Sequence, residues 1–154
     1  MSANPQRPAA LPPEGGYIDS SPFWQGTREG KLMLQYCLDA SRFQHPPGPV
    51  SIYTGSRRLT WKPVSGLGHV YAFTTLRAKG LGADGRLPYR LALVELAEGV
   101  RILANLRGPE NADWRIGDAV LLAWEQLAEG RQYPIFVRHE THADSATARA
   151  RIDA

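Results

Sequence analysis

The 154-residue sequence has one cysteine, Cys37. An intramolecular disulfide is therefore excluded, and with it the stapled class of small secreted domains. No apolar run approaches the roughly 20 residues needed to cross a bilayer, and residues 1–16 lack the apolar core of a secretory signal. These absences predict a cytoplasmic protein with no membrane partner. Catalytic signatures are missing as well. The chain holds no GxSxG, no HExxH and no spaced pair of carboxylates, so no enzyme activity of its own is expected.

Charge of one sign is also scarce, with 18 Lys and Arg against 15 Asp and Glu. The resulting net charge of +3 makes the surface mildly basic, which suits an anionic partner without requiring one. Turn formers, by contrast, are plentiful: 15 Gly and 12 Pro point to many short elements rather than long helices. A hydrophobic fraction of 43% in a chain of this length is enough to build a core without disulfide or metal. The expected class is mostly β.

Residues 1–16, with Pro5, Pro8, Pro12, Pro13 and the Gly15-Gly16 pair, have almost nothing to bury and are expected to be a disordered tail. A short helix should follow, with Ser21 as its cap, Pro22 in its first turn, Phe23 and Trp24 on its apolar face and Gly30 at its end. From Lys31 to Trp61, apolar bursts alternate with turn chemistry at Pro46, Pro47, Gly48, Pro49 and Gly55, the pattern of small hairpins. The implied organisation is a tail at 1–16, a helix and hairpin segment at 17–61, a β domain at 62–138 and a flexible tail at 139–154.

Within the β domain, five strands are expected at His69–Leu76, Tyr89–Leu96, Val100–Leu106, Ala119–Glu125 and Gln132–Val137, with turns at Glu98-Gly99 and Glu129-Gly130. The break at Pro109 to Gly117, after the third strand, gives the order of a five-stranded OB-fold barrel. Alternation assigns Val70, Ala72, Leu76, Leu91 and Leu93 to the interior, with Val100, Ile102, Ala104 and Leu106 from the third strand. Val120, Leu122, Trp124, Ile135 and Val137 complete it. The opposite set still contains Tyr71, Phe73, Val94, Leu96, Leu103, Leu121 and Phe136. A second face this apolar needs a cover: the N-terminal segment, a ligand or another subunit, including a second copy of the chain.

Taken in order, FWQGTREGKLMLQYC, RFQHPPGPVS, the Gly66–Leu76 strand, LPYRLALVELAEGVRILANLRG and RIGDAV resemble the DUF35 family over about Pro22 to Arg138. That resemblance implies a rubredoxin-like zinc ribbon before the OB-fold, and a role in acyl-CoA metabolism. Members' two CxxC knuckles fall here on Cys37 and Ala40, then Ser51 and Thr54. Three of the four positions cannot supply a thiolate, so the ribbon is degenerate and no zinc is expected. Burial of Tyr36, Phe43, Ile52, Tyr53, Leu59 and Trp61, at roughly 1.5–3 kcal/mol each, is the expected substitute for the metal.

The resemblance also implies a non-catalytic accessory subunit associated with a thiolase-like or other acyl-CoA enzyme, with acyl-CoA as a ligand and no tightly bound cofactor. Arg77, Lys79, Arg86, Tyr89 and Arg90 gather around the first inter-strand loop and are the candidates for its phosphates. Phe23, Trp24, Tyr71 and Phe73 are the candidates for a partner interface, where aromatics dominate the energetics. The alternative reading, from the OB-type strands and basic charge, is a single-stranded nucleic-acid binder.

Other patterns carry less. Gly80, Gly82 and Gly85 match GxGxxG but lead into a strand, without the helix N-terminus that holds a dinucleotide phosphate. His139 and His142 have a metal-compatible spacing but no second pair. Nothing nearby marks an activating base for Cys37, and Glu95 and Glu98 sit where solvated carboxylates are expected.

Overall fold

The computed structural model describes residues 18–77, 88–109, 112–126 and 132–139. The expected tail at 1–16, the tail beyond His139, the glycine run Gly80–Gly85, Lys79, Arg86, the Glu129-Gly130 turn and His142 lie outside the described residues. Among those described, no helix is long and apolar enough to cross a membrane.

One helix, α1 (Ser21–Arg28), opens the structure. Its first turn is not capped by Ser21 as the sequence suggested. Ser20 occupies the N-cap, and Asp19 supplies the carboxylate, accepting the Ser21 N–H at 2.9 Å. An aspartate one residue further out reaches the same orphan donors and adds favourable charge at the helix N-terminus.

A small antiparallel sheet follows, with strand order β2-β1-β3, made of β1 (Met33–Cys37), β2 (Arg42–Gln44) and β3 (Leu59–Pro63). Its expected aromatics supply part of the packing: Tyr36 and Phe43 meet edge-on with centroids 4.9 Å apart and Phe43 packs against the buried core, whereas Ile52 is 67% exposed. A polar lock adds to it. Gln44 is completely buried and donates to Gln35 Oε1 at 2.6 Å and to the Val50 carbonyl at 3.1 Å. Its own Oε1 accepts the Ile52 N–H, while Gln35 exchanges two bonds with the Gly48 backbone. Both amides thus satisfy a loop whose backbone groups have no strand to pair with.

Five further strands close into a barrel: β4 (Leu67–Leu76), β5 (Tyr89–Leu96), β6 (Arg101–Arg107), β7 (Ala119–Gln126) and β8 (Gln132–Arg138). Their order around the barrel is β4-β5-β6-β8-β7, with β4 pairing β7 to complete the circle. The β6–β8 pair is parallel and every other pair is antiparallel. This is the five-stranded OB-fold that the strand pattern implied. Closure needs β4 to serve two neighbours, and Gly68 permits it: a Cβ there would lie 2.5 Å from the Glu95 carbonyl oxygen.

The faces were only partly legible. On β5 the buried residues are Ala92, Val94 and Leu96, whereas Leu91 and Leu93, expected inside, are half-buried on the outward side. Both faces of β5 are apolar, so alternation could not fix its phase. The β4 register shifts between Val70 and Ala72, making Tyr71 a bulge residue and leaving Ala72 exposed. On β8, Phe136 is fully buried rather than outward, and Ile135 is buried as well.

Leu32 and Leu34 share one buried cluster with barrel residues such as Val70, Val94 and Phe136, and Phe23 packs against it. The N-terminal segment therefore completes the core. It does not cover Tyr71, Leu103 or Leu121, which stay 44%, 59% and 37% exposed.

Candidate functional site

The four ribbon positions still meet. Cys37 Sγ accepts the Ala40 N–H at 3.3 Å and lies 3.9 Å from Thr54 Oγ1, and Ser51 Oγ accepts the Tyr53 and Thr54 N–H groups. Hydrogen bonding from Ser51 is the main cause that holds the Cys37 thiol below its ordinary pKa. The two turns thus keep their shape with hydroxyls in three-residue registry to a single thiol. Among the described residues no cluster of three His, Cys, Asp or Glu could hold a metal ion.

The basic patch is partly assembled. Arg77, Tyr89 and Arg90 line one cleft of about 760 Å³ together with Arg107 and Gly108. A second cleft of about 820 Å³ continues from Arg107 and Gly108 to Trp114, Arg115, Val137 and Arg138. The loop between β6 and β7 forms its wall and is pinned from β8. Arg138 Nη2 donates to the Asp113 carbonyl at 2.7 Å, pairs with Asp118 at 3.0 Å and lies over the Trp114 ring. Asp113 holds Arg115 and raises its pKa.

Trp114 and this loop were missed by the sequence reading, which left Pro109 to Gly117 without a role. A tryptophan amid Asp and Arg in a loop needs a buried seat, and that was the available signal. Trp114 is 5% exposed, and its Nε1 has no hydrogen-bond partner among the described residues.

The four interface candidates separate into two pairs. Trp24 is buried and meets Phe23 edge-on with centroids 5.0 Å apart, so both act in internal packing. Tyr71 and Phe73 are exposed, with the Arg101 guanidinium 3.5 Å from the centre of the Tyr71 ring. Glu95 is not simply solvated: it binds Arg101 at 2.7 Å and lies 3.5 Å from His69. Glu98 accepts the Ser65 N–H at 2.6 Å. His45, half-buried beside Pro46, has its pKa lowered by burial and stands apart from these groups.

Residues 61–125 match the model of the ChsH2 C-terminal OB-fold domain. A probable enoyl-CoA hydratase alpha subunit of Thermomonospora curvata is 32% identical over 85% of this chain and 41% of its own length. The 3-oxo-4,17-pregnadiene-20-carboxyl-CoA hydratase alpha subunit of Mycobacterium tuberculosis is 36% identical over 70% of this chain and 37% of its own. The chain thus spans about two fifths of these two relatives. A DUF35 domain-containing scaffold protein of Pyrococcus furiosus is 29% identical over 75% of this chain and 85% of its own length.

Among solved structures, a chain of the Ltp2-ChsH2(DUF35) aldolase superposes with a TM-score of 0.73 at 28% identity, covering 82% of this chain and 98% of that one. A DUF35-family protein of unknown function from Sulfolobus solfataricus shares the fold at a TM-score of 0.55 and 12% identity, covering 77% and 84%. The expectation of no enzyme activity is corrected by these findings, because relatives carry the names of hydratase subunits and an aldolase. Motif absence misled there, since a subunit can serve a reaction without holding any familiar catalytic motif. The OB-fold is matched by the domain model, and the resemblance to DUF35 proteins read from the sequence is supported by similarity to them in sequence and in structure.

Proposed function

We propose that the chain is the DUF35 subunit of an acyl-CoA enzyme complex, associating with a thiolase-like enzyme and contributing to the binding of its acyl-CoA. The observation that carries this reading is the likeness to the Ltp2-ChsH2(DUF35) aldolase chain, which this chain matches over 98% of that chain's length. The names of the hydratase alpha subunits and the scaffold protein agree with a role beside acyl-CoA enzymes. Two features of the surface suit such a role. Tyr71 and Phe73 offer exposed aromatic area for a partner, and the arginine-lined clefts offer positive charge for phosphates. The work is assigned to the cytoplasm, where acyl-CoA pools are used.

The test is co-purification. The tagged chain, expressed in its native host, is expected to bring down a thiolase-like acyl-CoA enzyme in fixed stoichiometry. Recovery of the chain alone, at a size matching a monomer or a dimer of itself, overturns the proposal.

A further inference from the structure

We propose that the free edge of β4 at Phe73 and Thr75 takes an added strand: an extended, uncharged segment of the partner enzyme, running antiparallel to β4 and led by an acidic residue beside Arg77. This rests on the partner-enzyme reading above and assigns it a mode of contact.

Closure of the barrel uses only the first part of β4. Leu67 to His69 pair with β7, and Val70 adds two bonds to the loop before β7, donating to the Asp118 carbonyl at 2.9 Å and accepting the Gly117 N–H at 2.7 Å. The bulge at Tyr71 follows, and from there to Leu76 β4 pairs, among the described residues, with β5 alone. Burial records the change. Val70 is fully buried, whereas Tyr71, Ala72, Phe73 and Thr74 are all exposed, so this length of strand is uncovered on both faces.

The register gives the direction of the free main-chain groups. Because the Val70 N–H and C=O point toward β7, its pairing with Val94 is of the non-hydrogen-bonded kind, and the groups of Val94 turn to β6. Strand β5 pairs with β6 without a bulge, so Ala92 and Arg90 turn to β6 as well. Their partners on β4 are Phe73 and Thr75, whose N–H and C=O groups therefore point away from β5 to the open edge. Donors and acceptors at alternate residues are the repeat that an added strand matches.

Edges of this kind are ordinarily guarded by charge or proline. Residues 71–76, YAFTTL, hold neither and are rich in the aromatic and β-branched residues that favour strand pairing. Ile116, 72% exposed and next to the Gly117 that bonds Val70, adds apolar surface at one end. At the other end Arg77 is exposed and has no ion pair among the described residues. That charge selects the occupant. A second copy pairing about Thr74 would set Arg77 against Tyr71, whose ring already carries Arg101 at 3.5 Å, and would bring it no acid. A segment beginning with Asp or Glu satisfies Arg77, and an uncharged continuation matches the rest of the edge.

The complex recovered by co-purification supplies the test. Hydrogen exchange is read amide by amide in the free chain and in the complex. Phe73 and Thr75 are expected to exchange fast when free and to gain about tenfold protection or more in the complex, while Leu91 and Leu93, turned to β4, stay slow in both. Thr75→Pro removes an outward N–H without touching the β4–β5 ladder and is expected to weaken capture of the enzyme about tenfold or more. Thr75→Val keeps the N–H and captures as wild type, and Arg77→Glu weakens capture about threefold or more. Circular dichroism and the slow Leu91 and Leu93 amides certify that Thr75→Pro is folded.

Wild-type capture by folded Thr75→Pro or by Arg77→Glu, or unprotected Phe73 and Thr75 amides in the complex, overturns the added strand and leaves the enzyme partnership standing. Self-association of the wild-type chain that Thr75→Pro abolishes overturns it too, by giving the edge to a second copy. Recovery of no enzyme at all overturns the partnership, and the added strand falls with it.

Discussion

Gln44 donates to Gln35 across 2.6 Å, inside the small sheet and with no water-facing surface on Gln44. The other groups of these two side-chain amides hold the backbone of Gly48, Val50 and Ile52. Replacing Gln44 by Leu roughly keeps the volume and removes its bonds to Gln35, Val50 and Ile52, leaving the two between Gln35 and Gly48. The Ile52 N–H and the Val50 carbonyl are then left wanting, at about 1–3 kcal/mol for each group that stays buried. Urea denaturation is expected to show a loss of at least about 2 kcal/mol, with Gln35→Leu similar; an unchanged midpoint would contradict the lock.

The two turns around Cys37 keep the outline of a tetrathiolate site, with the Ala40 N–H still directed at Cys37 Sγ. Substituting Ala40, Ser51 and Thr54 together by Cys is expected to create a zinc site. The readouts are one equivalent of zinc surviving dialysis and a thiolate-to-cobalt charge-transfer band on cobalt substitution. The wild-type chain is expected to retain no zinc under the same dialysis. Failure of the triple variant to bind would show that the turns have moved apart.

Cys37 gives the fold a pH dependence. Its pKa is lowered in the folded state, chiefly by Ser51, so the unfolded chain binds more protons between the folded value and the ordinary thiol value. Stability from this group is full above the ordinary thiol pKa and is lost as pH falls through the folded one. Ser51→Ala is expected to flatten the rise in stability on the alkaline side and to move the ultraviolet thiolate absorbance to higher pH. An unshifted titration would remove Ser51 as the cause.

Trp24 and Tyr71 are expected to part company on mutation. Trp24→Ala empties a core position and should cost about 3–5 kcal/mol. Tyr71→Ala loses only the Arg101 contact at an exposed site, about 0.5–1 kcal/mol, and should instead weaken capture of the partner enzyme. Equal partner binding by wild type and a Tyr71→Ala, Phe73→Ala double variant would place the interface elsewhere.

How much the sequence disclosed can be followed strand by strand. All five barrel strands were legible because turn residues bracket each apolar run, as at Glu98-Gly99 between β5 and β6, where Gly99 adopts a φ of 78°. The inward face of β5 was not, because Leu91 and Leu93 are as apolar as Val94 and Leu96, and nothing local announces the bulge at Tyr71. The glutamine lock escaped for a related reason: Gln35 and Gln44 look like solvated strand residues until their partners, up to thirteen positions away, are known. At the candidate site, Arg77, Tyr89 and Arg90 were found through charge and loop position. Arg107 and Trp114 follow one another at the end of β6, and the pairing of β8 with β6 brings Arg138 to them.

Leu32 and Leu34 reach out of the small sheet into the same apolar cluster as Val94 and Phe136. An excised fragment beginning at β4 and keeping all five barrel strands would be a barrel with its stopper pulled, wetting side chains that the intact chain keeps dry. Melting of the whole described body should accordingly proceed in a single cooperative step, and a partner that grips either half would steady both.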